Sequence, residues 1–194
     1  AERSITLIVD ESFSDFANAE PVTSMLDREL LNQYPHLVVI KSISKSFGVP
    51  GVRLGILASG DLALIQSIKR AVSIWNINSF GEFFLQIIEK YKGDYKKGLA
   101  RFYAVRDEMA AGLSNLDFVD VFPSQANYFM LRLKNHVTAA DLGAYLLQAH
   151  SLLIKDLTTK HGIEGQYVRV AVKTRAENDE LISAMREFAA NPDK

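Results

Sequence analysis

Lys41-Ser42-Ile43-Ser44-Lys45-Ser46-Phe47-Gly48-Val49-Pro50-Gly51-Val52-Arg53-Leu54-Gly55 is the stretch on which the fold reading turns. It begins where an apolar run over residues 37–40 ends, and that run reads as a buried strand. A lysine sits here among hydroxyls and glycines, with an arginine eight residues further on. The amine can form an imine with an aldehyde, while serines, backbone amides and a guanidinium can hold a phosphate. Neither G-x-G-x-x-G nor the P-loop pattern is present, so the glycines serve tight turns instead of a nucleotide.

Working outward, residues 5–9 read as a strand running into Asp10-Glu11-Ser12. Met25, Leu26, Leu30 and Leu31 have helical spacing over 22–33, with Pro35 as the stop. Strand, helix and strand at this distance predict a βαβ unit with parallel strands and a right-handed crossover. Asp10 and the 42–45 cluster then share the carboxyl edge of the sheet, where ligands of open α/β sheets bind. A further strand is expected over 52–58 and an amphipathic helix over 61–72. Ser79-Phe80-Gly81-Glu82 has capping-box spacing for a helix to about residue 90, with Gly93 interrupting before a long helix over 94–113. Beyond it, strands are expected at 118–121, 128–133, 152–154 and 167–172, with helices at 139–150 and 176–189. That is an α+β layer. The expected division is 1–92 and 93–194.

The bulk properties exclude several classes. The 194 residues carry 22 basic and 23 acidic side chains, which gives no signal for nucleic acid or an acidic membrane surface. No apolar run approaches the ~20 residues that cross a bilayer. Without a basic-then-apolar leader, the cytoplasm is the expected location. There is no cysteine, hence no disulfide and no thiolate metal site, and the four histidines lack ligand spacing, so no metal is expected. Because the chain opens at Ala1 almost directly on a strand, it reads as a piece of a longer protein or a trimmed product.

Ser42-x-Ser44-Lys45-x-x-Gly48-x-x-Gly51-x-Arg53-x-Gly55 resembles the cofactor-lysine signature of pyridoxal-phosphate enzymes of the aspartate aminotransferase fold. Val9-Asp10-Glu11-Ser12-Phe13 resembles that family's V-D-E-x-Y element, and the branch it looks most like holds histidinol-phosphate aminotransferase and threonine-phosphate decarboxylase. The resemblance implies an α/β chain: part of the parallel-sheet large domain of a fold type I enzyme, followed by a small α+β C-terminal domain. It implies pyridoxal 5'-phosphate as cofactor, with Lys45 as the Schiff-base lysine and acid–base. Ser42, Ser44 and Arg53 would be phosphate ligands, and Asp10 the partner of the pyridine nitrogen. An imine-forming lysine must be partly unprotonated, and burial beside a cation such as Arg53 favours that form.

The pattern departs at Phe13, where the family often carries tyrosine, so the hydroxyl at that place is missing. In Tyr167-Val168-Arg169-Val170, the resemblance makes Arg169 the grip on a substrate carboxylate; from local sequence alone it is equally a solvent-face residue. Pro123-Ser124-Gln125-Ala126-Asn127-Tyr128 resembles the family's turn into a small-domain strand and adds Asn127 as a substrate contact. Trp75-Asn76-Ile77-Asn78-Ser79 resembles a loop near the subunit interface but reads better as a helix start. Lys155 lies where some relatives meet a substrate phosphate, and a solvated lysine is its simpler reading.

The implied activity is transfer of an amino group between an amino acid and a keto acid, in a homodimer. Phe13 keeps open the alternative of a decarboxylase acting on an amino-acid phosphate. A third reading is a truncated fragment, inactive alone.

Overall fold

The computed structural model describes residues 5–18 and 24–190. The chain divides into two compact units, 1–99 and 100–194, and the division falls within one long helix, Lys92–Ser114.

In the first unit three strands form a sheet of order β1-β2-β3: β1 (Leu7–Asp10), β2 (Leu37–Ser42) and β3 (Gly55–Ser59). β1 and β2 are parallel, with Leu7 opposite Leu37 and Asp10 opposite Ile40, as the βαβ reading requires. β3 runs antiparallel to β2, so the sheet is mixed. Val39, on the central strand, is fully buried beside Leu37 and Val38. β1 lies at an edge, and Leu7 and Ile8, which point to opposite faces, are both exposed.

The first helix is shorter than its apolar spacing suggested. α1 spans Arg28–Gln33, because the Asp27 carboxylate accepts the Leu30 N–H and fixes the start there. Met25 and Leu26 precede it, and residues 22–23 of the expected helix lie outside the described residues. The lysine stretch forms a four-residue helix, α2 (Ile43–Ser46), then a tight turn over Pro50–Val52 that delays β3 to Gly55. α3 (Leu62–Ala71) is capped by Asp61. α4 (Ser79–Ile87) starts from Asn78, whose side chain accepts the Gly81 N–H at 2.9 Å. The expected Ser79–Glu82 box is not the device used, since Asn78 takes the capping position one residue earlier. Gly93 does not break the chain direction either: α5 (Lys92–Ser114) runs through it.

The second unit has a four-stranded antiparallel sheet of order β4-β5-β7-β6, made of β4 (Val119–Val121), β5 (Tyr128–Leu133), β6 (Lys155–Asp156) and β7 (Tyr167–Ala171). α6 (Ala139–His150) and α7 (Arg175–Ala190) complete it. Met109, Leu113, Leu131, Leu142, Leu146, Val168, Val170 and Met185 form its core. The strand expected at 152–154 is absent. Ser151 takes a left-handed conformation at the end of α6 and the Leu152 N–H bonds back to Leu146, so the chain turns before it pairs. Leu152 and Ile154 still pack on the core, which is why the segment is apolar.

Candidate functional site

The first unit gathers its polar residues at one sheet edge. The Glu11 N–H donates to Ile40 O at 2.8 Å, so β1 and β2 end side by side. Asp10 is the last residue of β1, Ser42 the last of β2, and Lys45 lies one turn into α2. Asp10 is exposed, and its pKa is lowered by the Ser12 hydroxyl and then the Ser12 N–H, with the Lys45 charge adding a smaller pull. Carboxylate and amine thus lie at the same edge of the sheet.

Lys45 departs from expectation in its burial. It is exposed, and its ammonium rests over the Phe13 ring, 4.3 Å from the centroid. Phe13, noted in the sequence for its missing hydroxyl, is therefore a platform beneath the amine. Phe47, just after α2, stacks on Tyr95 at 4.1 Å and meets Phe84 edge-on, pinning the far end of the turn.

The hydroxyls separate into two roles. Ser42 makes no side-chain cap bond to α2. Ser44 is buried, accepts the Leu54 N–H at 2.8 Å and donates to Leu54 O at 3.3 Å. With both functions spent on the backbone, Ser44 locks the turn to Leu54. Arg53 is exposed in a left-handed conformation, φ 54°, and its guanidinium donates to Pro50 O at 3.2 Å.

Two features were missed in the sequence. Lys41 pairs with Asp15 at 2.5 Å, and buried Glu11 accepts from Ser24 Oγ and Met25 N. Together they fasten the loop after β1, and the charge-rich loop itself was the only available hint. Among the described residues no group of His, Asp and Glu could hold a metal ion, and no helix is long and apolar enough to cross a membrane.

In the second unit Arg169 projects from β7, exposed, with its guanidinium 5.0 Å from the Tyr128 ring centroid. Its register partners are Met130 on β5 and Lys155 on β6. Neither Lys155 nor Arg169 forms an ion pair among the described residues. Asn127 is half-buried and its carbonyl accepts the Val172 N–H at 2.9 Å. The structure therefore brings Asp10, Ser42 and Lys45 together in one unit, and Arg169, Lys155 and Tyr128 in the other.

The family pattern described as aminotransferase class I and II matches residues 1–185. The chain belongs to that family. It is 34% identical over 192 residues to an L-serine phosphate decarboxylase of Sulfurospirillum multivorans, covering 94% of this chain and 47% of that protein. To a threonine-phosphate decarboxylase of Salmonella typhimurium it is 32% identical, covering 94% and 48%. The solved histidinol-phosphate aminotransferase of Clostridium acetobutylicum superposes with a TM-score of 0.87 at 26% identity, covering 96% of this chain and 55% of that one. The chain spans about half the length of the curated relatives it matches. Its fold is that of part of a fold type I pyridoxal-phosphate enzyme, and pyridoxal 5'-phosphate is the cofactor that this family implies.

The residues present fit that cofactor. An exposed primary amine, Lys45, would suit its aldehyde, the Ser42 hydroxyl and Arg53 guanidinium its phosphate, and the exposed Asp10 carboxylate at the same sheet edge a protonated ring nitrogen.

Proposed function

We propose that this chain is part of a pyridoxal-phosphate-dependent decarboxylase acting on a phosphorylated amino acid. The observation that carries the reading is the Lys155–Arg169 pair. Two cations directly across a strand pair repel, so the arrangement suits a ligand with two anionic groups. An amino-acid phosphate has both. The Arg169 fork matches a planar carboxylate, and Lys155 supplies a point charge for a phosphate. Tyr128 supports the Arg169 guanidinium from its ring face.

Lys45 would bind the cofactor aldehyde, Ser42 and Arg53 its phosphate, and Asp10 its ring nitrogen. When bound, the cofactor supplies an electron-withdrawing ring that takes up the electron pair left at Cα. Lys45 then delivers the proton to Cα that replaces the departing carboxyl group. Phe13 carries the Lys45 ammonium on its ring and offers no hydroxyl of its own. The named activities of the serine-phosphate and threonine-phosphate relatives support release of carbon dioxide.

The second reading is amino-group transfer, favoured by the likeness to the histidinol-phosphate aminotransferase. There Lys45 removes the Cα proton instead of supplying one. A homodimer in the cytoplasm belongs to the same proposal, and sedimentation of the purified protein tests the dimer.

The experiment mixes the natural gene product with pyridoxal phosphate, reduces with borohydride and maps the labelled peptide. Carbon dioxide and carbonyl product are then measured with phosphoserine, phosphothreonine and histidinol phosphate, with a 2-oxo acid present as amino acceptor. A label on Lys45 with carbon dioxide release is expected. Carbonyl product without carbon dioxide would replace decarboxylation by amino transfer, and no label on Lys45 would end the cofactor assignment.

A further inference from the structure

We infer that Lys41 and Asp15 are positioning residues, whose ion pair clamps the turn bearing Phe13 onto the strand that leads to Lys45 and so sets how the amine is held. The inference deepens the cofactor reading above and rests on it for the role of Lys45. Neither residue of the pair touches the amine; they act on it through the Phe13 ring, which lies 4.3 Å from the Lys45 ammonium.

Two short stretches of chain are closed against each other. Lys41 Nζ lies 2.5 Å from Asp15 Oδ1, and both side chains are largely shielded from water, at 13% and 22% exposure. Asp15 follows Phe13 by two residues, inside the tight turn Ser14–Phe16. There the Phe16 N–H donates to Phe13 O at 3.1 Å, the Ala17 N–H donates to Ser14 O at 3.0 Å, and the Phe16 side chain is buried. The turn moves as one unit, so a shift of Asp15 carries Phe13 with it. Lys41 belongs to β2, opposite Ile56 of β3, and β2 passes at Ser42 directly into α2 and Lys45. The ion pair at one end and the ammonium–ring contact at the other close a ring of four residues.

Stability alone is a weak reason for the pair. Shielded charges lose hydration, and replacing both by uncharged side chains of similar volume is often neutral or stabilising. What the pair supplies is a defined geometry, because each charge is costly away from the other. The ammonium–ring contact is weak at an exposed site, and ordering an unanchored turn would cost more than it returns. The Glu11 latch on Ser24 and Met25 holds the far end of the same loop, whereas the Lys41–Asp15 pair is the fastening beside the ring.

The test follows the ε-methylene protons of Lys45 by NMR in the natural gene product, labelled with carbon-13 lysine and free of cofactor. The signal is assigned by its loss in Lys45→Arg. Protons above an aromatic face resonate upfield of those on a free lysine, so an upfield signal is expected in the wild type and its loss in Phe13→Leu. Lys41→Met/Asp15→Asn removes one charge of each sign and should lose it too. Ser24→Ala loosens the same loop at the Glu11 latch and should keep it. An upfield signal that survives in Lys41→Met/Asp15→Asn overturns the inference, and so does its loss in Ser24→Ala, which would mean that any loosening of the loop suffices. The second readout is the rate of the borohydride-trappable adduct with pyridoxal phosphate. It should quicken about two- to fivefold in the pair variant, as in Phe13→Leu, and no further when the changes are combined, as for residues acting through one contact. Gains that add in the combined variant overturn the inference. The expected NMR changes with no adduct at Lys45 in the wild type would sink the cofactor reading and keep the role of the pair.

Discussion

Lys155 and Arg169 stand directly opposite each other on antiparallel β6 and β7, both exposed and neither in an ion pair among the described residues. Like charges at such positions cost roughly 0.2–1 kcal/mol, so a fold selected for stability alone would separate them. Lys155→Met should therefore leave the fold as stable or slightly more so, by urea denaturation. The same change should raise KM for a phosphorylated amino acid about 10- to 100-fold, the worth of a hydrogen bond to a charged group, and leave an unphosphorylated analogue nearly untouched. Equal effects on both substrates would show that Lys155 reads no phosphate. Arg169→Lys should weaken both substrates, because the planar fork is lost while the charge is kept.

Phe13 sits under the Lys45 ammonium at 4.3 Å, a contact worth about 0.5–1 kcal/mol at an exposed site. Phe13→Leu keeps an apolar side chain but removes the ring face. Because the ring face favours the unreactive ammonium over the free amine, formation of the borohydride-trappable adduct at Lys45 should quicken about two- to fivefold, in line with that energy. Phe13→Tyr keeps the ring and should keep the rate. If the leucine variant reacts as fast as wild type, the platform has no part in presenting the amine.

Legibility followed the range of the interactions. The parallel pairing of β1 with β2 and the common edge of Asp10 and Lys45 came through, because apolar runs and polar breaks are local signals. β5 and α6 matched their expected bounds for the same reason: each has a clean period over its whole length. What the sequence left unread depended on partners distant in the chain. The role of Ser44 is set by the backbone of Leu54, ten residues away, and the short start of α1 by competition for Met25 N, which Glu11 takes at 2.5 Å. The Lys155–Arg169 pairing needed the register of two strands fourteen positions apart, one of them only two residues long. No composition signal marks such a strand.

Gly60 is a further position that no local pattern singles out. A methyl group there would run into the carbonyl oxygen of Leu31 in α1, far inside contact distance, with the Leu31 carbonyl carbon and Asn32 Cα close behind it. Neither partner is a flexible side chain, so α1 or the end of β3 must move. Gly60→Ala should destabilise the first unit by at least the roughly 1–3 kcal/mol usual for overpacking. Hydrogen exchange of the β2 and β3 amides should report it, while the β5 and β7 amides of the second unit stay protected. A neutral substitution would mean that α1 is not held against β3 at Gly60.

Glu177 gives the pH prediction. It closes a reciprocal box at the start of α7: Lys173 Nζ and Thr174 Oγ1 each reach its carboxylate at 2.6 Å, the Thr174 N–H at 3.1 Å, and the Glu177 N–H returns to Thr174 Oγ1 at 3.4 Å. These donors, Lys173 foremost, lower its pKa from 4.5 to about 2. A folded-state pKa below the unfolded one stabilises the fold where the unfolded chain is already ionised, above pH 4.5, and that contribution fades as pH falls toward about 2. Glu177→Gln removes the charge and cannot titrate. The melting-temperature gap between wild type and E177Q should be largest near neutrality, begin to shrink below about pH 4.5 and nearly close by about pH 2. Other acidic groups act in both proteins and cancel in the difference. A gap that stays constant across this window would show that the carboxylate charge contributes nothing to the start of α7.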